Sequence, residues 1–311
     1  MNRLATWLCV LSILPCSACN SVDFDALRLL LPALANAPRG VDIQYDLPYV
    51  ERETGTLSFD LFRPSNAGAD RLPLVIMVHG GSWRSGSRNS LYEFAWDVAA
   101  RGCVAAPISY RLTRDGVTYP APVADVIEAV RYFRANADAY GVDPDRVALL
   151  GMSAGAHLSL LAGLADDASI FDDTLPPGWR ADVRAIVNLF GPTDFTADPD
   201  TVSRDQVRTV ERFLGTRLAD AGELPRIASP ITYVRADGPP VLTVHGQADQ
   251  TVPIDQARRL TAALNGVGEP AELIEIPDMD HLPGAIWLGP FAQSYRGAVL
   301  DFLELHLLHS Q

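Results

Sequence analysis

The apolar run Val147-Ala148-Leu149-Leu150 leads straight into Gly151-Met152-Ser153-Ala154-Gly155, and helical periodicity follows from Ala154 to Leu164. A serine on so sharp a strand-to-helix turn sits in a strained backbone conformation. Side chains two positions to either side would collide there, which is why both flanking residues are glycine. Its hydroxyl projects past the strand end, over a helix N-terminus that favours developing negative charge. That is a nucleophile suited to acyl transfer. Upstream, a strand ending at His79 runs into Gly80-Gly81-Ser82-Trp83. Small residues there let main-chain N–H groups face a substrate oxygen; Gly81, Ser82 and the N–H of Ala154 are the expected oxyanion donors.

A serine nucleophile needs a base, and six histidines compete: His79, His157, His245, His281, His306 and His309. His79 opens the oxyanion loop and is expected to brace it. His157 lies one turn into the helix after Ser153, pointing away from the serine tip. His245 ends a strand, and His306 and His309 fall on a terminal helix. His281 alone lies between the last strand and the last helix, at the strand C-termini where ligands bind in open α/β sheets. The acid that orients it is read as Asp249, directly after a strand, with Asp194 in Gly191-Pro192-Thr193-Asp194 as runner-up. Asp280 is tethered too closely to reach round to the neighbouring ring and is expected to cap a loop. Asp278, Asp280 and His281 resemble metal ligands, but no second histidine lies nearby at ligand spacing, so no metal and no cofactor are expected. Trp83, Met152 and Trp287 each neighbour a catalytic loop and are expected substrate-pocket walls, with core packing as the competing reading.

These residues need a scaffold. The 311 residues suffice for a substantial core, and 48% apolar with 20% charged is an ordinary globular balance. Short apolar runs alternate with helical stretches from Val41 onward, which is an α/β pattern. Strands are expected at Val41 to Leu47, Leu57 to Phe62, Leu74 to His79, Cys103 to Ser109, Val147 to Gly151, Ala185 to Phe190, Val241 to His245 and Ala271 to Ile276. Several are apolar at consecutive positions, so both faces must be covered, as in a mainly parallel sheet between helix layers. Helices are expected at Val123 to Ala137, Ala154 to Leu164, Ile254 to Leu264 and Phe291 to Leu308. The stretch from Thr196 to Asp237 is longer than an ordinary connection and carries a helix at Val207 to Leu214, so this insert is a candidate lid.

Charge and composition exclude some functions. Net charge is −13, from 25 basic and 38 acidic residues, which disfavours nucleic acid. Lysine is absent, and all 25 basic residues are arginine. A Walker phosphate loop, a pyridoxal Schiff base and a Ser-x-x-Lys acyl transferase are therefore excluded. Cys103, in an apolar run, reads as a small buried hydrophobe. Residues 1–19 read as a secretory signal: Arg3, then an apolar run from Leu4 to Leu14, then Cys16-Ser17-Ala18-Cys19. The last of these resemble a lipobox, with Cys19 as the lipidated residue and a possible membrane anchor; ordinary cleavage near Ala18 is the alternative. Residues 20–40 read as a tether or a helix, and 41–311 as one catalytic domain.

With these residues in hand, the sequence resembles the α/β-hydrolase superfamily from about Val41 to the C-terminus, near the feruloyl/acetyl-esterase and hormone-sensitive-lipase groups. Tyr110-Arg111-Leu112, the helix entry from Pro120 to Asp125 and Gly141-Val142-Asp143-Pro144-Asp145-Arg146 look like that superfamily's connecting segments. The chain order Ser153, Asp249, His281 is the superfamily's order of nucleophile, acid and base. His79-Gly80-Gly81-Ser82-Trp83 departs from the three-glycine form of the lipase branch and is closer to the feruloyl-esterase, isoprenylcysteine-methylesterase and arylformamidase branches. The expectation is an exported serine carboxylesterase, periplasmic, lipid-anchored or secreted, acting on a small-molecule ester without an obligate protein partner. An arylformamidase, a serine peptidase and a ligand-binding module that has lost catalysis are the competing readings.

Overall fold

The computed structural model describes residues 40–68, 70–196, 203–281 and 292–309. The expected signal with Cys19, the 20–40 segment up to residue 39, and Trp287 lie outside the described residues. All described residues belong to one compact unit.

Eight strands form one sheet in the order β1-β2-β4-β3-β5-β6-β7-β8. They are β1 (Val41–Arg52), β2 (Gly55–Pro64), β3 (Leu72–Val78), β4 (Val104–Ile108), β5 (Val142–Met152), β6 (Ala185–Leu189), β7 (Val241–Gly246) and β8 (Ala271–Ile276). β1 and β2 make an antiparallel hairpin, β2 joins β4 antiparallel, and every pairing from β4 through β8 is parallel. The mostly parallel eight-stranded sheet is the expected one, with β1, β2 and β5 each at least four residues longer than expected. β1 continues to Arg52 through register shifts after Gln44 and Pro48. β5 starts at Val142 because Leu72 pairs with it before the register slips at Leu74.

Among the described residues, six helices of nine residues or more flank the sheet: α1 (Tyr92–Ala100), α2 (Ala121–Ala135), α3 (Ala154–Leu164), α4 (Arg204–Leu214), α5 (Asp255–Gly266) and α6 (Ala292–Leu307). Leu74, Ile76 and Val78 of β3 share a core with Val126, Val130 and Phe133 of α2, Leu158 and Leu161 of α3, and Leu260 of α5. The alternate residues Val75 and Met77 are equally buried, on the side where α1 packs on β4 and β2 and α6 on β5 to β7. Burial on both faces is why β3 carries no polar alternation. Helix α1 has no counterpart in the sequence reading. Phe94, Ala95, Trp96, Val98 and Ala99 are all buried, and only Glu93 and Asp97, one turn apart, mark its outer face. Helix α2 stops at Ala135 rather than Ala137, because the Asn136 side chain turns back to donate to the Tyr132 carbonyl at 2.8 Å. The insert contains α4, one turn earlier than expected at its start, followed by short turns to Tyr233.

The parallel strands put their C-termini along one sheet edge. The loops after β3, β5, β6, β7 and β8 carry Gly81, Ser153, Asp194, Asp249 and His281 respectively, so five distant parts of the chain converge there.

Candidate active site

Ser153 is the junction between β5 and α3, with φ 52° and ψ −119°, a conformation L-residues avoid. Crowding enforces it. A Cβ on Gly151 would lie 2.4 Å from Ala156 Cα and the Gly155 carbonyl, and one on Gly155 would lie 2.1 Å from the Val78 carbonyl. A Cβ on Gly80 would approach the Met152 carbonyl to 2.9 Å and Ser153 Cβ to 3.2 Å, so the oxyanion loop packs directly against the serine turn.

That loop is strained as well. Gly81, Ser82 and Trp83 have φ of 118°, 55° and 58°. The Arg84 and Ser85 N–H groups both donate to the Gly81 carbonyl at 3.0 Å, which leaves that carbonyl facing into its own turn. Among the described residues nothing accepts from the N–H groups of Gly81, Ser82 or Ala154. His79 braces the loop from below: its Nδ1 donates to the Gly80 carbonyl at 2.7 Å, and its ring stacks on Tyr110, whose hydroxyl donates to the His79 carbonyl at 3.0 Å. Burial lowers the His79 pKa to about 4, so the ring stays neutral. Two of the three connecting segments singled out in the sequence meet here, since the Arg111 guanidinium makes a bidentate pair with the fully buried Asp125.

Ser153 Oγ lies 2.9 Å from Nε2 of His281, and Nδ1 of His281 lies 2.7 Å from Oδ2 of Asp249. Burial opposes ionisation of Asp249, but hydrogen bonds from His245 and His281, the attraction to the His281 ring once it is charged, and the Val252 N–H outweigh it and hold the carboxyl well below the usual carboxylate range. An ionised carboxylate only accepts, so His281 Nδ1 carries the proton and its Nε2 lone pair faces the serine hydroxyl. Oδ1 of Asp249 accepts the N–H groups of Thr251 and Val252, both at 2.8 Å. Asp280 accepts the N–H of His281 at 2.7 Å and that of Gln250 at 3.0 Å, so one carboxylate ties the base loop to the acid loop. Phe190 packs edge-on to the His281 ring at 5.1 Å.

The runner-up acid is committed elsewhere. Asp194 pairs with Arg259 at 2.5 Å through Oδ2 and accepts the Thr196 N–H at 2.7 Å through Oδ1. His157 is fully buried, its Nε2 donating to the Ala228 carbonyl of the insert at 2.8 Å, and burial lowers its pKa to about 3. Its ring packs on Trp83, Phe195 and Phe213, so it joins the nucleophile helix to the insert, a role the sequence reading missed. Among the described residues, no group of three or more His, Cys, Asp and Glu could hold a metal ion.

A cavity of about 300 Å³ opens beside Ser153 and Ala154. Ser82 and Trp83 form one wall, Thr251 to Pro253 of the acid loop another, and Val207, Val210 and Leu218 of the insert a third. Trp83 therefore lines the cavity as expected while also stacking on Phe213 at 4.4 Å. Met152 corrects the expectation: it is buried at the end of β5, paired with Leu189, and is not among the lining residues. The residue before Ser153 still obeys the strand alternation, which turns it into the core.

Comparison with known proteins agrees with this architecture. Esterase LipC of Mycobacterium tuberculosis is 35% identical over 226 residues, 71% of this chain and 56% of that protein. The isoprenylcysteine alpha-carbonyl methylesterase ICME of Arabidopsis thaliana is 27% identical, over 69% of this chain and 51% of that protein. The chain thus spans a little over half the length of these relatives. The structure of a thermophilic esterase from Thermogutta terrifontis with butyrate bound superposes with a TM-score of 0.70 at 26% identity, covering 87% of this chain and 94% of that one. The fold is the α/β-hydrolase fold. The family model named BD-FAE matches residues 59–264, well over half of the 311, and the chain belongs to that family.

Proposed function

We propose that the chain is a serine carboxylesterase working through an acyl-enzyme on Ser153. One observation carries the reading: an unbroken relay from the Ser153 hydroxyl through His281 to Asp249, beside three main-chain N–H groups from which no described residue accepts. His281 Nε2 takes the hydroxyl proton as Oγ attacks the acyl carbon. The N–H groups of Gly81, Ser82 and Ala154 hold the oxyanion, and Asp249 stabilises the imidazolium. The imidazolium then protonates the departing alcohol. Water repeats the sequence, giving up its proton to His281 and releasing the acid. The esterase names of the relatives and the largely apolar cavity support an uncharged acyl group as substrate.

Ser153→Ala is expected to lower kcat on a short-chain chromogenic ester by at least about 10⁴-fold and to abolish fluorophosphonate labelling, with an unchanged circular dichroism spectrum. Undiminished turnover would end the assignment. We also propose export, on residues 1–19 alone, with Cys19 as the acylated residue. Radiolabelled palmitate incorporation that survives Cys19→Ser would refute the acylation.

A further inference from the structure

The Asp249 carboxylate is held by two imidazoles. Beyond His281, Nε2 of His245 approaches the same oxygen, Oδ2, to 3.2 Å, and both side chains are fully buried. His245 Nε2 also lies 2.7 Å from the Val252 carbonyl. A carbonyl can only accept, so the proton of His245 is on Nε2, where one N–H is shared between Val252 and Asp249. The other ring nitrogen, Nδ1, is buried without a hydrogen-bond partner among the described residues. A buried orphan nitrogen is costly, so the ring is held by what its Nε2 does.

We propose that His245 is a positioning residue for the reaction, pinning the acid so that Oδ2 faces the base. This rests on the reading of Asp249 as the acid of the relay. With Oδ1 fixed by the N–H groups of Thr251 and Val252, and Oδ2 by two imidazole N–H groups, the carboxylate cannot rotate about its own bond. Val252, whose N–H and carbonyl are both engaged, closes the loop that carries the acid. Removing the His245 donor leaves buried Oδ2 with one donor and loosens its alignment on the base, while the two N–H groups on Oδ1 still hold the other oxygen. The loss falls on the step in which His281 becomes charged. His245 does not line the cavity, so ester binding is spared.

The test is steady-state turnover of a chromogenic butyrate ester by the full chain, with active-site titration to count competent molecules. His245→Gln places an amide nitrogen as many bonds from Cβ as Nε2, whereas in His245→Asn the nitrogen reaches only the Nδ1 position. His245→Asn is expected to lose about 10- to 100-fold in kcat with KM within about threefold, and His245→Gln to stay within about fivefold of the parent. Equal kcat in both variants and the parent, whatever their melting temperatures, would overturn the proposal and leave His245 a packing residue. Should His245→Asn fail to fold, a His245→Gln enzyme that folds but loses more than about 100-fold in kcat would overturn it equally. Asp249→Asn separates the two readings. Full activity in that variant would refute the acid assignment itself, whereas a deep loss there with no difference between the His245 variants refutes only the positioning role.

Discussion

The serine turn and the insert border the same cavity but are held by different means. At the turn, backbone meets backbone: Gly151, Gly155 and Gly80 stand where any Cβ would enter a carbonyl or a Cα. The insert is held mostly by side chains, with main-chain ties from the Tyr119 N–H to the Phe213 carbonyl and from the Ile231 N–H to the Thr193 carbonyl. Phe213 stacks on Trp83, Ala228 accepts from His157, and the Gln206 amide donates to the carbonyls of Gln250 and Thr251 while its oxygen accepts the Ser203 N–H. Backbone crowding leaves no slack, so the reacting atoms have one geometry. Side-chain packing can be repacked, so the far wall of the cavity is the exchangeable part.

The contrast is sharpest at Gly155. Gly155→Ala is expected to cost more than about 4 kcal/mol, read as loss of folded protein by circular dichroism, because the new methyl would meet two main-chain carbonyls at 2.1 and 2.4 Å. On the insert side, Phe213→Ala is expected to cost about 3–5 kcal/mol in urea unfolding and to change KM more than kcat. A drop in kcat larger than the rise in KM would show that the two regions are not separable. Acid probes both at once, because His79 lies under the turn and His157 under the insert. Burial lowers their pKa values to about 4 and about 3, below the ordinary 6.5. The unfolded chain then binds more protons, so their contribution is complete above about pH 6.5 and is lost as pH falls toward 4 and 3. His79 accounts for up to about 3 kcal/mol and His157 for up to about 5 kcal/mol, and urea midpoints that stay flat from pH 7 to 4 would contradict this. The smallest effect is expected at Gln206→Ala. Loss of the capping box and of the tie to the acid loop costs about 1 kcal/mol, seen as a slightly lower melting temperature with kcat retained.

Much of the site was legible because chemistry and chain geometry coincide there. A serine between two glycines at a strand end has one plausible turn, and a parallel sheet must place Ser153, Asp249 and His281 along one edge. The rest depended on where loops travel. The four-residue spacing from His245 to Asp249 is visible in the sequence, but nothing there shows the loop folding the carboxylate back over the ring. Asp194 could compete as the acid until Arg259 was seen to neutralise it. Met152 followed the pleat rather than its proximity to the serine. Val207 and Val210 showed an amphipathic helix without showing that its apolar side would meet a cavity instead of the core. Helix α1 shows only a narrow polar face, Glu93 and Asp97, over nine residues, too short a stretch for its period to stand out from the apolar run around it.

Asp280 accepts the amide N–H of Gln250, the residue directly after Asp249, and that of His281 itself. A bulky ester that pushed on either of these positions would carry the other along, so the separation between imidazole and carboxylate is conserved however the far wall yields. Discrimination among esters should then register as how well they are retained, while the intrinsic speed of bond cleavage tracks the departing alcohol rather than the size of the acyl chain.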